Sequence, residues 1–240
     1  MTEFDKIVFS PIFREGTLES FKNLCHDESI EFLKLFQLNS KLHSFLHSKN
    51  DATDTSSKEY FTMLLNIRIR DHFSSSFILI SQGFLVDAIS LTRSALEDLF
   101  VIINFYLEPS YFQRWNENKD SFMIRPGELR NHELIDDYDK ELFNHVYKSL
   151  CNIVHPKKNS VSHMVKYHPS LISKGNEGIV RLKKDAQLIN LSFLTYLYHI
   201  SKLLKTVYTD SNDINQLDSI LGELPSIINI LPLAEQLDNE

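Results

Sequence analysis

Apolar residues recur at intervals of three and four along three long stretches of this chain, and that spacing constrains the fold more than any other feature. Over residues 17–47, Phe21, Leu24, Ile30, Leu33, Leu38, Leu42, Phe45 and Leu46, among others, mark one or two amphipathic helices. Residues 48–57 break the pattern with Asn, Asp, Thr and Ser and read as a linker, whose Thr55-Ser56-Ser57 offers an N-cap to a second helix. That helix spans about 58–81, and Gly83 is its natural stop. A third, 84–107, is apolar on nearly all sides, as the central helix of a bundle is, and Glu108-Pro109 ends it. Six Gly and seven Pro in 240 residues are too few for the many tight turns of an all-β fold.

The pattern is less regular beyond Pro109. A short helix fits 110–118, and 123–132, with Pro126-Gly127, reads as a loop. A fourth long helix over 136–152 carries Leu142, Phe143, Val146, Tyr147 and Leu150 on one stripe, with Pro156 beyond it. Between Val161 and Leu182, the Gly-Asn-Glu-Gly run at 175–178 leading into Ile179-Val180 predicts a β-hairpin or an ordered irregular loop. A fifth, aromatic-rich helix follows over 185–208. The expectation is therefore an all-α fold, a helical bundle of about five long helices with a small β-hairpin or irregular insertion after the fourth. Residues 1–54 form an N-terminal helical segment, 55–209 the helical core, and 210–240 a C-terminal tail with a short helix near 214–221. That tail holds seven acids and no Lys or Arg, and it reads as a solvated segment, or as one that folds back on the basic island as a mask or binds a partner.

Charges of both signs precede the first apolar run, in the pattern of no secretory signal. The most apolar long stretch, 83–107, is interrupted by Asp87, Arg93, Glu97 and Asp98 and makes no lipid-facing span, so no membrane partner is expected. Cys25 and Cys151 stand far apart in sequence and read as reduced thiols of a cytoplasmic protein.

Residues 148–184 hold eight Lys or Arg against one Glu, together with His155, His163 and His168, in a chain whose formal charge is −7. Such a basic island in an acidic protein points to an anion, or to a partner protein bound at that segment. Lys148, Asn152 and His155 are spaced i, i+4, i+7, so a helix continued to its end would present a cation, an amide and an imidazole on one face. His155 is the candidate proton-transfer group. Lys157, Lys158, Lys166, His168 and Arg181 are candidate phosphate-binding residues around it. Arg93 and Glu97, four apart in the third helix, share a face with Ile89 and Phe100. They form either an internal ion pair that fixes packing, or a site in which Glu97 holds Arg93 for a phosphate or carboxylate, and the sequence leaves both open. The three histidines match no familiar metal-ligand spacing, and there is no Gly-rich phosphate loop or nucleophile elbow, so neither metal nor cofactor is expected.

The runs 88–97 (Ala-Ile-Ser-Leu-Thr-Arg-Ser-Ala-Leu-Glu) and 147–156 (Tyr-Lys-Ser-Leu-Cys-Asn-Ile-Val-His-Pro) resemble those of bacterial all-helical proteins that are similar to the HEPN superfamily. The resemblance covers about residues 58–208. It implies a helical bundle, a homodimer, and a metal-independent endoribonuclease acting on RNA, or binding a nucleotide-like anion, in stress responses, phage defence or toxin-antitoxin systems. The superfamily's active motif is an Arg followed after four to six residues by a His. His155 matches the His, while Lys148 stands seven positions before it where the motif has Arg. Lys lacks the planar bidentate fork of a guanidinium, and Arg93 is the candidate to supply one. The alternative is a non-catalytic helical protein-interaction module that dimerises.

Overall fold

The computed structural model describes residues 21, 23–50, 54–117, 127, 135–154 and 176–224. Every regular element among them is a helix: α1 His26–Ser48, α2 Lys58–Ser81, α3 Leu85–Leu107, α4 Pro109–Asn116, α5 Asp137–Val154, α6 Asn176–Val207 and α7 Ser211–Glu223. Within these residues no helix is long and apolar enough to cross a membrane.

The helix ends follow local chemistry. Ser57 takes up extended backbone before α2, and its Oγ accepts the Tyr60 N–H at 3.1 Å, satisfying one of the donors that a helix start leaves open. At the other end the chain reverses at Gly83, whose φ of 86° lies in the region that favours glycine. Pro109 opens α4, where its missing N–H costs nothing. Asp136 Oδ1 accepts the Asp139 N–H at 2.8 Å at the start of α5, and Asp210 caps α7 through the Asn212 N–H, also at 2.8 Å.

α2 and α3 form an antiparallel pair. Thr62 near the start of α2 meets Tyr106 near the end of α3, and Arg68 meets Asp98 further along. α3 is the most enclosed element: Ala88, Ile89, Ala95, Leu96, Leu99, Phe100 and Ile102 are fully buried, which accounts for its nearly all-round apolar sequence. α6 lies against α1, α2, α3 and α5, and Phe193 stacks on Phe73 of α2 with ring centroids 4.4 Å apart. Buried residues of α1 to α7 belong to one continuous hydrophobic cluster. A polar seam crosses it, in which Asn66 Oδ1 accepts from Asn39 Nδ2 and from the Tyr196 hydroxyl. Such a buried network specifies how α1, α2 and α6 register, with Asn39 Oδ1 left without a hydrogen bond.

Two expectations need correction. Residues 176–182, read from sequence as part of a hairpin, are the first turns of α6. Leu182, Ala186 and Ile189 bury at i, i+4 and i+7, and this packing outweighs the β preference of Ile179-Val180. The rest of the expected insertion, 161–175, lies outside the described residues. The first half of the acidic tail is not a free solvated segment but a helix packed by one face on the bundle. α7 buries Leu217 and Ile220, and its acids pair with lysines of the bundle: Asp213 with Lys49 at 2.5 Å, Glu223 with Lys41 at 2.5 Å, and Asp218 with Lys205.

Candidate functional site

The seam between α3 and α5 gathers the chemistry that the sequence singled out. Phe100 of α3 meets Phe143 edge-on with centroids 5.1 Å apart, and Tyr147 lies 5.8 Å from the same Phe100 ring. This contact sets α5 so that the Tyr147 hydroxyl, at the outer edge of the packed layer, reaches Glu97 one turn before Phe100.

Glu97 Oε1 accepts from Tyr147 OH at 2.6 Å and from Arg93 Nε at 2.9 Å. The Arg93 guanidinium carbon stands 5.7 Å from the centre of the Tyr147 ring, within range of a cation–π contact. The pair is half-buried, with 26% of the Arg93 side chain and 31% of the Glu97 side chain exposed. It is thus a seam ion pair, open to solvent on one side, and not a charge pair sealed in the core.

The electrostatics fix the protonation states. Burial works against the Arg93 cation, but the Glu97 hydrogen bond and the nearby Glu97 and Tyr147 oxygens raise its pKa further above the ordinary arginine value. Burial pushes the Tyr147 phenol up, and its hydrogen bond to Glu97 pushes it further. Arg93 is therefore a permanent cation and Tyr147 a permanent neutral donor. With Nε bound to Glu97 and its carbon near the Tyr147 ring, the guanidinium retains Nη donors of the kind that suit an oxyanion.

Lys148 and Asn152 are exposed on α5, one and five positions after Tyr147, and Cys151, one turn beyond Tyr147 on its own face, lies close enough to influence the Arg93 charge. α5 is helical to Val154, so its described end stops one residue before His155. His155, Lys157, Lys158, Lys166 and His168 lie outside the described residues. Arg181 falls in α6, where only its backbone is described. Among the described residues, no three His, Cys, Asp or Glu side chains cluster as metal ligands.

A second charged cluster gave no signal in the sequence reading. His199 of α6 donates from Nδ1 to the Thr195 carbonyl at 2.7 Å, and its Nε2 faces Asp139 Oδ1 of α5 at 3.0 Å. Lys202 Nζ donates to Asp136 Oδ2 at 2.7 Å and to Asp139 Oδ2 at 2.8 Å. The i, i+3 spacing of Asp136 with Asp139 and of His199 with Lys202 was available as a cue, but the pairing crosses two distant helices. Both ring nitrogens of His199 face acceptors, and only 4% of its side chain is exposed. This cluster clamps α5 to α6.

Comparison of the chain with protein-family models, with curated proteins and with solved structures finds no match. The functional reading therefore rests on the residues themselves.

Proposed function

We propose that the protein binds RNA phosphates along the α3–α5 seam and cleaves the strand without a metal ion. The observation that carries this reading is Arg93, anchored through Nε by Glu97 and backed by Tyr147 of α5, the helix that also exposes Lys148 and Asn152. A guanidinium held in this way is pre-organised for phosphate, because the ordering cost is met by the protein's own contacts. In sequence, α5 is followed by His155 and the basic run at 157–166.

In the proposed reaction His155 accepts the proton of a ribose 2′-hydroxyl as that oxygen attacks the adjacent phosphorus. The P–O5′ bond breaks, leaving a 2′,3′-cyclic phosphate and a 5′-oxygen that takes a proton from solvent. Arg93 and Lys148 stabilise the charge on the non-bridging oxygens, and Asn152 supplies an amide donor. Lys157, Lys158, Lys166, His168 and Arg181 extend the contact to neighbouring phosphates or bases.

The test is cleavage of a mixed RNA pool in chelator by the wild type, His155→Ala and Arg93→Ala, with analysis of product ends. Cyclic phosphate products should fall about 100-fold or more in His155→Ala. Arg93→Ala should lose about 10- to 100-fold, the worth of a charge-assisted contact. Equal cleavage by all three proteins, or none by any, removes the proposal.

A second reading is favoured by Ile78 and Phe84, which flank the α2–α3 turn with 57% and 53% of their surface exposed. Large apolar side chains placed there suit a non-catalytic helical module that dimerises and engages a partner protein through the basic segment. Such a module tolerates His155→Ala and loses self-association on Ile78→Asp.

A further inference from the structure

Asn39 and His43 stand four apart on α1, so their side chains share one face of that helix, and both meet Asn66 of α2. Asn39, Asn66 and Tyr196 of α6 are fully buried, while His43 is half-buried and reaches solvent. The donors and acceptors fix the sense of every contact among the four. Asn66 Oδ1 accepts from Asn39 Nδ2 at 3.0 Å and from the Tyr196 hydroxyl. Asn66 Nδ2 therefore faces the His43 ring, 3.3 Å from Nδ1, and a carboxamide nitrogen only donates. Nδ1 must accept, so the neutral ring carries its proton on Nε2. Protonation of His43 adds a hydrogen at Nδ1, and two donors then confront each other at this contact.

The same heavy-atom positions admit a second pattern. A half-turn of the Asn66 carboxamide presents Oδ1 to the Nδ1–H of a protonated ring and Nδ2 to Asn39 and Tyr196. Asn39 Oδ1 has no hydrogen bond in the first pattern, so a half-turn of Asn39 as well brings an acceptor to Asn66 Nδ2 and breaks no further bond. The Tyr196 hydroxyl accepts from Asn66 Nδ2 and donates to the Asn39 side chain, which lies within its reach. The half-turns exchange oxygen and nitrogen atoms of nearly equal size, so the packing around them is kept.

The surrounding charges decide which pattern prevails at neutral pH. Burial holds the His43 ring below the usual histidine range, and Arg70 of α2 and His47 of α1 add to that effect. Asp98 of α3 acts on the Tyr196 hydroxyl at the far end of the network.

We propose that His43, Asn66, Asn39 and Tyr196 form a two-state relay, in which a proton taken up by His43 reverses the hydrogen bonds that join α1, α2 and α6 in the core. The folded chain binds this proton less readily than the unfolded chain. The first pattern therefore contributes its full stability above about pH 6.5 and loses it as pH falls through the lower folded value.

Nuclear magnetic resonance of the full chain tests the relay. Imidazole nitrogen shifts of neutral His43 should show a bare Nδ1 and a protonated Nε2. The side-chain amide resonances of Asn39 and Asn66 should titrate with the midpoint of the His43 ring. In His43→Asn, whose amide donates or accepts at any pH, that titration should vanish, whereas in Asp98→Asn it should persist. Asn66→Asp still accepts from Asn39 and Tyr196 but has no donor for His43, and it should raise the proton affinity of the ring at least ~10-fold. A neutral His43 with its proton on Nδ1 overturns the proposal. So do carboxamide resonances that ignore the ring titration, or that still titrate in His43→Asn. If Asn66→Asp fails to fold, the tautomer and the titrations in the wild type and His43→Asn decide the matter.

Discussion

Glu97 is the pivot of the candidate site, because a single carboxylate oxygen takes hydrogen bonds from Arg93 on its own helix and from Tyr147 on another. The first half of that arrangement was legible in the sequence, since an i, i+4 spacing places the two charges on one helical face. The second half was not. Tyr147 stands 50 residues away and reads as one more member of an apolar stripe, and only the Phe100 contact brings its hydroxyl to Glu97. His155 and its basic neighbours were singled out by composition, which reports charge but not place. Removing the hydroxyl separates its role from that of the ring. Tyr147→Phe should keep the Phe100 packing and lose about 1.5 kcal/mol, as expected for a hydrogen bond to a charged acceptor. If the proposed function holds, it should also weaken RNA affinity several-fold by loosening Arg93. Denaturant unfolding and an RNA oligonucleotide titration read the two effects, and a variant as stable as the wild type with unchanged affinity contradicts the assigned role.

Among the elements, α2 shows how fully local chemistry can write a helix. Its expected span, 58–81, is the span observed, because both ends are marked: Ser57 supplies the cap and Gly83 the reversal. α6 shows the opposite case. Its expected start at residue 185 lies well inside the observed helix, since Gly178 and the β-branched Ile179-Val180 argue locally against helix and the burial that overrides them depends on other elements. The ends of α2 give a test at this scale. Ser57→Ala loses the acceptor for the Tyr60 N–H and should cost about 1 kcal/mol. Gly83→Ala places a side chain on a backbone with φ of 86° and should cost about 1 kcal/mol or more. The two sites are separated by a helix ~36 Å long, so the double variant should show the sum to within about 0.5 kcal/mol. A marked departure from additivity in urea melts would mean that the ends of α2 are coupled through the bundle.

At the scale of the molecule, two buried aspartates give stability opposite dependences on pH. Asp98, between α2 and α3, is 5% exposed. Burial raises its carboxyl to about 6, although Arg68 donates to it at 2.7 Å, because the Arg68 side chain is itself 60% exposed and its charge is shared with water. Asp139, between α5 and α6, is buried to the same degree, yet the His199 and Lys202 contacts overcome burial and draw it down to about 2. An unfolded Asp titrates near 3.9, which fixes the sign of each effect. Asp98 binds a proton in the folded state between about 3.9 and 6 that it does not bind when unfolded, so its contribution is full below that window and is lost as pH rises through it. Asp139 contributes fully above about 3.9 and loses that contribution as pH falls toward 2. Urea midpoints of the wild type, Asp98→Asn and Asp139→Asn between pH 2.5 and 8 separate the two. Asp98→Asn should remove the decline between pH 4 and 7. His43 and His72, whose rings burial holds below the usual histidine range, also bear on stability there, and His72 Nε2 lies 3.9 Å from Asp98 Oδ2, so the substitution acts on that pair together. Asp139→Asn leaves His199 and Lys202 facing a neutral amide and should lose about 3 kcal/mol at pH 7. That gap should narrow below pH 4, where the wild-type carboxylate is itself losing its advantage. If the three curves run parallel across the whole range, neither aspartate carries the linkage assigned to it, and the clamp between α5 and α6 owes its strength to packing around Phe143 and His199 instead.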